Sequence, residues 1–174
     1  MSEIYEYREP THFTAGAVGE PGNRIFYLQA GDSFGYHSVK LEKQQVIALS
    51  NFLLTVLDDL PAPEAALPTP VELIDPAQPV FVVGQIAVGV DEVSSRVVLV
   101  VEELVDQPTL EDELAAFTEE DDDLPGATLR VHVSVEQAAA FIRTAEILME
   151  GGRPPCRLCG QPLDPSGHSC PRLN

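Results

Sequence analysis

Hydrophobic and polar residues alternate along the first forty positions and then switch to a helical spacing. Residues 3–18 alternate in this way, which predicts a strand that is interrupted near Pro10. Turn residues separate it from two further predicted strands, 24–30 and 36–41. From Glu42 onward apolar residues recur every three or four positions, which predicts an amphipathic helix with one apolar face: Val46, Leu49, Leu53, Val56, Leu57 and Leu60.

The same order of elements returns after a proline-rich stretch, residues 61–79, which we interpret as an extended linker. Three more strands are predicted from their apolar patterns: 79–89, 96–101 and 128–133. Ser134 and Gln137 then have the spacing of a capping box, which marks the start of a second amphipathic helix. The pair Gly151-Gly152 is a plausible end for that helix.

The repeated order predicts an internal duplication. Short stretches match between the halves, for example Phe13-Thr-Ala-Gly16 with Phe81-Val-Val-Gly84. Neither half could bury a large core alone, so we expect an α+β domain over 1–152 in which two β-β-β-α units, 3–60 and 80–152, pack about a pseudo-two-fold axis. Chance agreement between two strand-rich segments is the alternative. The pattern leaves open whether the two sheets fuse or pack face to face.

Charge narrows the classes of partner. The chain has 28 acids and 10 bases, a net charge of -18, which disfavours binding to nucleic acid or to an anionic membrane surface. Eleven of the acids fall in one insert, residues 102–123, which contains no base. Such a segment is typical of a solvated loop, and docking to a basic surface or weak binding of a divalent cation are the alternatives.

The start of the chain and its cysteines indicate a cytoplasmic protein. The first seven residues, Met-Ser-Glu-Ile-Tyr-Glu-Tyr, lack the apolar segment of a secretory signal, and no apolar run is long enough to span a bilayer. The chain has three cysteines, an odd number, all near one end. That distribution argues against a secreted disulfide framework.

Residues 153–174 form a cysteine-rich tail with metal-ligand spacing. Cys156-x2-Cys159 is followed by Gly160, which is typical of a zinc knuckle, and His168-x-Cys170 adds two more ligands. Residues two apart in an extended segment face the same side, so both could reach one ion. We therefore predict a closed, structural Cys3His zinc site, with His168 as its least constrained ligand. A redox-active cysteine pair and three unligated thiols are the alternatives.

Catalytic signals are weak by comparison. His37 and His132 lie in predicted strands, where a structural role is the simpler interpretation, and His12 has no partner in sequence. The nucleophile elbow, the P-loop and the dinucleotide fingerprint do not occur. These observations favour a non-enzymatic binding or adaptor protein. The alternative is an enzyme, a hydrolase or transferase acting on a phosphorylated small molecule, with a site between the two repeats.

Several stretches, taken together, resemble a known family. They are Ile4-Tyr-Glu-Tyr7, Phe13-Thr-Ala-Gly-Ala-Val-Gly19, Phe26-Tyr-Leu-Gln-Ala30, Val39-Lys-Leu-Glu-Lys43 and the long run from Gly152 through His168 to Arg172. The chain is similar in these to the actinobacterial DUF 3090 family, a "repeat protein" family of unknown function. Arg157 departs from the small residue expected after the first cysteine, which does not affect the ligands.

The resemblance implies that the protein shares a pathway with certain other proteins, and it does not imply a catalytic mechanism. Genes of the family accompany those of a histidine-phosphatase-like protein and a phosphatidylinositol-kinase-like protein. This implies an adaptor role beside a kinase-like or phosphatase-like partner, whose identity the sequence does not give. No catalytic residue is transferred by the resemblance.

Overall fold

The computed structural model of the chain describes residues 3–60, 68–75, 78–105, 126–163 and 167–172. Within these residues there are seven strands and two helices in the predicted alternation, including the break at Pro10. The strands are β1 (Ile4–Tyr7), β2 (His12–Val18), β3 (Ile25–Asp32), β4 (Gly35–Leu41), β5 (Pro79–Asp91), β6 (Arg96–Glu103) and β7 (Thr128–Val133). The helices are α1 (Lys43–Asp58) and α2 (Val135–Glu150). The expected α+β class is confirmed. Neither helix is long and apolar enough to cross a membrane.

The strands form one mixed sheet in the order β1-β7-β6-β5-β4-β3-β2, so the two predicted sheets are fused. Strand β4 joins the halves by pairing in parallel with the start of β5, and β1 pairs in parallel with β7. The other neighbours are antiparallel. The first strand of the chain therefore leaves its own half and completes the sheet of the other half.

The sheet is strongly curled. Its two outermost strands, β1 and β2, are joined by only four residues, 8–11, which at about 3.6 Å per residue span less than about 20 Å. In a flat sheet six gaps of about 4.8 Å would separate them by about 29 Å. The edges must therefore approach each other. Consistent with this, the Tyr7 hydroxyl on β1 lies 2.6 Å from Nδ1 of His37 on β4.

One hydrophobic core fills the space between the curled sheet and the helices. Phe13 of β2 stacks on Phe141 of α2 with ring centroids 5.0 Å apart, and both are almost fully buried. Burying a side chain of this size contributes about 1.5–3 kcal/mol, so this pair holds α2 firmly against β2. The branched side chains that complete the core alternate along the strands: Leu28, Val39, Leu41, Val97, Leu99, Val101, Leu129, Val131 and Val133.

The two halves are matched through their helix starts. Each helix begins with a capping box, Glu42 with Gln45 in α1 and Ser134 with Gln137 in α2. Beyond its cap, the Gln45 Nε2 donates to the carbonyls of Val83 and Gly84 at 3.3 Å each. The Gln137 Nε2 donates to the carbonyl of Pro10 at 2.6 Å.

These bonds align the halves differently from the sequence match. They place the break at Pro10 level with the irregularity in β5 at Gly84. Counted from these hydrogen bonds, Phe13 lies three residues after Pro10 as Ile86 lies three residues after Val83, so the two residues occupy equivalent places. The sequence match of Phe13 with Phe81 follows residue identity, whereas the hydrogen bonds follow the point at which the strand changes partner.

The part of the linker that the structure describes, residues 68–75, packs as a strap on β2, β3 and β4 rather than spanning solvent. Gln29, fully buried, accepts from the Ile74 N–H at 2.8 Å and donates to the Ile74 carbonyl at 3.0 Å. The Thr14 hydroxyl donates to the Val71 carbonyl at 2.5 Å. Leu73 lies directly against Gly16, because a Cβ added to Gly16 would lie only 2.8 Å from the Cβ of Leu73. Residues 61–67 and 76–77 of the predicted linker lie outside the described residues.

The acidic insert begins later than its acids suggest. Glu102 and Glu103 belong to β6, where they lie opposite Gln85 and Val83. Their charge is tolerated because Glu102 is exposed and the Glu103 carboxylate accepts a hydrogen bond from the Ala127 N–H at 2.8 Å. Residues 106–123 of the predicted insert lie outside the described residues.

Candidate metal centre

The cysteine-rich tail folds as a small hairpin that brings its first two cysteines together. The Cys156 N–H donates to the Gln161 carbonyl at 2.7 Å, and the Gly160 N–H donates to the Cys156 carbonyl at 2.8 Å. Gly160 has φ +76°, a conformation that side chains with a Cβ rarely adopt, which explains a glycine at this place. The turn therefore presents both sulfurs on the same side of the hairpin.

The second pair of predicted ligands returns to the same point. The ligand atoms of Cys156, Cys159, His168 and Cys170 all lie within 4.8 Å of one another. Cys159 Sγ is 3.2 Å from His168 Nε2, and Cys156 Sγ is 4.0 Å from Cys170 Sγ. Tetrahedral zinc with bonds of about 2.0–2.3 Å requires ligand atoms about 3.5–3.8 Å apart. The cluster could therefore hold a metal ion such as zinc.

Backbone N–H groups favour the thiolate form of Cys156, the form that binds a metal ion. The pKa of the Cys156 thiol is lowered because the N–H groups of Cys159 and Leu158 point at its sulfur, the latter at 3.4 Å. The N–H of Gln161 favours the thiolate of Cys159 too, but burial and the neighbouring thiols outweigh it and raise the pKa of Cys159. Three thiols that share a small space cannot all ionise easily without a cation between them.

The histidine is held at the cluster with its second nitrogen covered. His168 Nδ1 is buried and has no hydrogen-bond partner among the described residues. Metal-bound histidines usually donate this N–H to an acceptor, which fixes the ring. The other ring nitrogen, Nε2, faces the sulfurs, since it lies 3.2 Å from Cys159 Sγ. Cys170 is the most buried of the three cysteines, so the returning segment is packed rather than splayed out.

The tail joins the body at the end of α2. The Arg24 Nη1 donates to the Leu148 carbonyl in the last turn of that helix at 3.5 Å. A Cβ on Gly22 would lie 3.2 Å from Cδ of Arg153, so the first residue of the tail rests on the β2–β3 turn. A cavity of about 180 Å³ between these parts is also lined by Lys43. The Cys3His cluster is therefore attached to a basic corner of an acidic protein.

The other predicted histidines are separate from this cluster. His37 contacts Tyr5 and Tyr7, and His12 Nε2 lies 2.8 Å from Oε1 of the buried Gln29. His132 lines a cavity of about 880 Å³ at the end of the sheet where the β3–β4 and β5–β6 turns meet. Its Nε2 is 3.7 Å from Glu6 Oε1 on the neighbouring β1. Sequence reasoning did not find Glu6 because the parallel pairing of β1 with β7 creates this contact.

Comparison with known proteins gives a family and no activity. No curated protein and no solved structure matches the chain. A family model described as "Protein of unknown function (DUF3090)" matches residues 5–170, which is nearly the whole chain and includes all four residues of the cluster. The resemblance noted in the sequence is thereby confirmed, and the chain belongs to the DUF3090 family of proteins of unknown function.

Proposed function

We propose that the protein is a non-enzymatic binding or adaptor protein whose Cys3His tail is closed by a structural zinc ion. The observation that supports this most directly is the convergence of four protein ligands within 4.8 Å. A zinc ion with four protein ligands has no open position for water or substrate. It therefore stabilises the fold of the tail and does not take part in a reaction. Such an ion would fix a tail that has little hydrophobic mass of its own.

The body suits a scaffold. The matching hydrogen bonds of Gln45 and Gln137 to equivalent strand breaks support an internally duplicated β-β-β-α unit related by a pseudo-two-fold axis. In this arrangement the domain over 1–152 carries the zinc tail, 153–174, at the end of its second helix. The basic corner formed by Arg24, Lys43 and Arg153 would orient a protein partner at the tail.

Zinc content tests the first part of the proposal. Protein purified without chelator is expected to contain about one zinc ion per chain by mass spectrometry of the metal, as a single tetrahedral site requires. Cys156→Ser should lose the ion and the dispersed amide resonances of the tail. The matched control, Ser169→Ala, changes the exposed residue between two ligands and should keep both. Zinc-free wild-type protein with an ordered tail would contradict the proposal.

Partner binding tests the second part. The family resemblance suggests a kinase-like or phosphatase-like partner, so purified candidates of both classes are titrated against the full chain by calorimetry. The double variant Cys156→Ser, Cys159→Ser should weaken binding because the tail surface loses its shape. Equal binding by wild type, the double variant and Ser169→Ala would show that the tail is not the recognition element.

The cavity around His132 favours one other function, an enzyme acting on a phosphorylated small molecule. It lies between elements of both halves, and a histidine next to a carboxylate can transfer a proton. Arg8 and Arg96 line it too, although Arg8 pairs with Glu6 at 3.3 Å and Arg96 donates to the His132 carbonyl at 3.1 Å. A panel of phosphomonoesters is the test. Turnover abolished in His132→Gln and retained in His12→Gln would support this alternative.

A further inference from the structure

A groove between α1 and β5 is the counterpart of the tightest contact in the other half. It has a volume of about 320 Å³ and lies over Leu49 and Phe52 of α1 and Ile86 and Val88 of β5. Leu49 comes four residues after Gln45, as Phe141 comes four after Gln137, and Ile86 corresponds to Phe13. The groove is therefore the place where the other half has its Phe13–Phe141 stack.

Smaller side chains leave this place open. Two aromatic rings in contact fill the space between α2 and β2, whereas a leucine and an isoleucine do not fill it between α1 and β5. As a result Phe52 on the α1 wall is 49% exposed, and Ile86 and Val88 on the β5 wall are only partly buried. Apolar side chains at this degree of exposure on both walls of one groove indicate a binding surface.

The backbone beside the groove is an unpaired strand edge. The pairing of β5 with β4 ends at Val82, while β5 continues to Asp91 with β6 on one side only. Gln45 covers the carbonyls of Val83 and Gly84, so the edge without a neighbouring strand among the described residues begins at Gln85. In an antiparallel pair every second residue directs its N–H and C=O away from the partner strand, so this edge can accept an extended chain.

Charge specifies the chain that would fit. Glu102 lies beside the groove, next to its lining residue Gln85, from which the Glu102 carboxylate accepts a hydrogen bond at 2.5 Å. It pairs with Gln85 and so lies on the sheet face opposite to Ile86, the face to which every second residue of an added strand would point. The chain as a whole carries 18 more acids than bases. A complementary ligand is therefore basic at its exposed positions and apolar at those that enter the groove.

From the unpaired edge, the apolar groove and its acidic border, we infer that the α1–β5 groove binds an extended segment of a partner protein by strand addition to β5. Alternate residues of that segment are apolar and insert between Phe52, Ile86 and Val88, and the residues between them are Lys or Arg. The inference rests on the proposed binding function and names a second surface for it, since none of the tail residues that the structure describes lines the groove.

The test uses the full chain and three synthetic peptides with blocked ends. The first alternates valine with lysine over eight residues, the second has glutamate in place of each lysine, and the third has proline in place of a central valine. Binding is measured by calorimetry and by amide chemical shifts along β5. The lysine peptide is expected to bind at least about tenfold more tightly than either of the others, because the glutamates repel the border and proline removes a backbone donor.

Two matched variants locate the site. Phe52→Lys places a charge on the groove wall and should weaken the lysine peptide at least about tenfold. Phe34→Lys makes the same change at a side chain that is 97% exposed in the β3–β4 turn and should bind like wild type. Both variants leave the core residues in place, and their denaturant midpoints verify that they are folded.

Three results would overturn the inference. They are equal binding of all peptides, no loss with Phe52→Lys, and concentration-dependent self-association that Phe52→Lys abolishes, which would assign the groove to a second copy of the chain. Zinc removal separates this inference from the tail proposal. Peptide binding that survives in Cys156→Ser supports the groove even when binding of the tail's partner is lost.

Discussion

The two halves of the molecule share an order of elements and differ in how their helices meet the sheet. Each helix packs on the first long strand of the other half. In one of these pairs, α2 lies on β2 through the stacked rings of Phe13 and Phe141, and the strap covers Thr14 on the other side of β2. In the other, α1 leaves a groove of about 320 Å³ over β5, and a Cβ on Gly89 of that strand would meet nothing within 4 Å. One half is thus closed on both faces, and the other has surface available for a partner.

The comparison predicts a large difference between equivalent core truncations. Phe141→Ala should lower the free energy of unfolding by about 3–5 kcal/mol, because it removes a fully buried ring and leaves a cavity. Leu49→Ala should cost only about 2 kcal/mol, the lower limit for a buried leucine, because its cavity opens into the groove. Denaturant unfolding of both variants checks this. Equal losses would show that the groove is as well packed as its counterpart.

The strap should make a smaller contribution, confined to the closed half. Gln29→Leu is expected to cost about 2–3 kcal/mol, because the buried Ser38 hydroxyl and the N–H and carbonyl of Ile74 lose their partner. Gln85→Leu, in the open half, removes one exposed hydrogen bond to Glu102 and should change stability by less than about 0.5 kcal/mol. Denaturant midpoints measure both. Comparable effects would mean that the strap does not depend on Gln29.

Filling the groove should convert the open half into a copy of the closed half. The double substitution Leu49→Phe, Ile86→Phe recreates the aromatic pair and is expected to stabilise the fold by about 0.5–1.5 kcal/mol. It should also abolish binding of the lysine peptide. Thermal unfolding measures the gain, and the two single substitutions serve as controls. Destabilisation by the double variant would show that α1 cannot approach β5 as α2 approaches β2.

The smallest expected effect concerns pH. Burial lowers the pKa of His37 in the folded state, although nearby Glu3 acts in the opposite direction. A histidine whose folded pKa lies below its unfolded value of about 6.5 destabilises the fold as pH falls through that range, since the unfolded chain takes up the proton first. In the other half the corresponding place on β7 is occupied by Leu129, which does not titrate.

We therefore expect stability to decline between neutral pH and pH 5 by an amount that His37→Gln reduces. Unfolding curves at several pH values measure this decline. His12→Gln is the control for loss of a histidine elsewhere. A slope unchanged by His37→Gln would assign the pH dependence to other groups.

Local elements were predictable from sequence because their signals are local. The helical spacing after Glu42, the capping box at Ser134 and the break at Pro10 are all borne out. The clustering of Cys156, Cys159, His168 and Cys170 was also predictable, since the tight hairpin at Cys156 depends on residues that are neighbours in the chain. In each case, the interaction that forms the structure spans only a few positions.

Pairing and packing between distant segments were not predictable. The alternation of apolar and polar residues shows which side of a strand is apolar, but it does not show which strand lies next to it. The sequence therefore did not predict that β1 pairs with β7. Thr14 and Gln29 are polar residues in strands, a type of residue that usually faces solvent, yet both are fully buried under the strap. Their burial is possible only because a backbone from elsewhere supplies the hydrogen bonds.

The pairing of β1 with β7 also sets the order in which the protein can be completed on the ribosome. About 120 residues separate the two partners, so at about 5–20 residues per second β1 waits roughly 6–24 s for β7 to be made. The strap follows α1 directly in the chain and is available much sooner. We expect the first half to cover the polar face of its own strands early. Curling of the sheet into its final form is then one of the last events of synthesis.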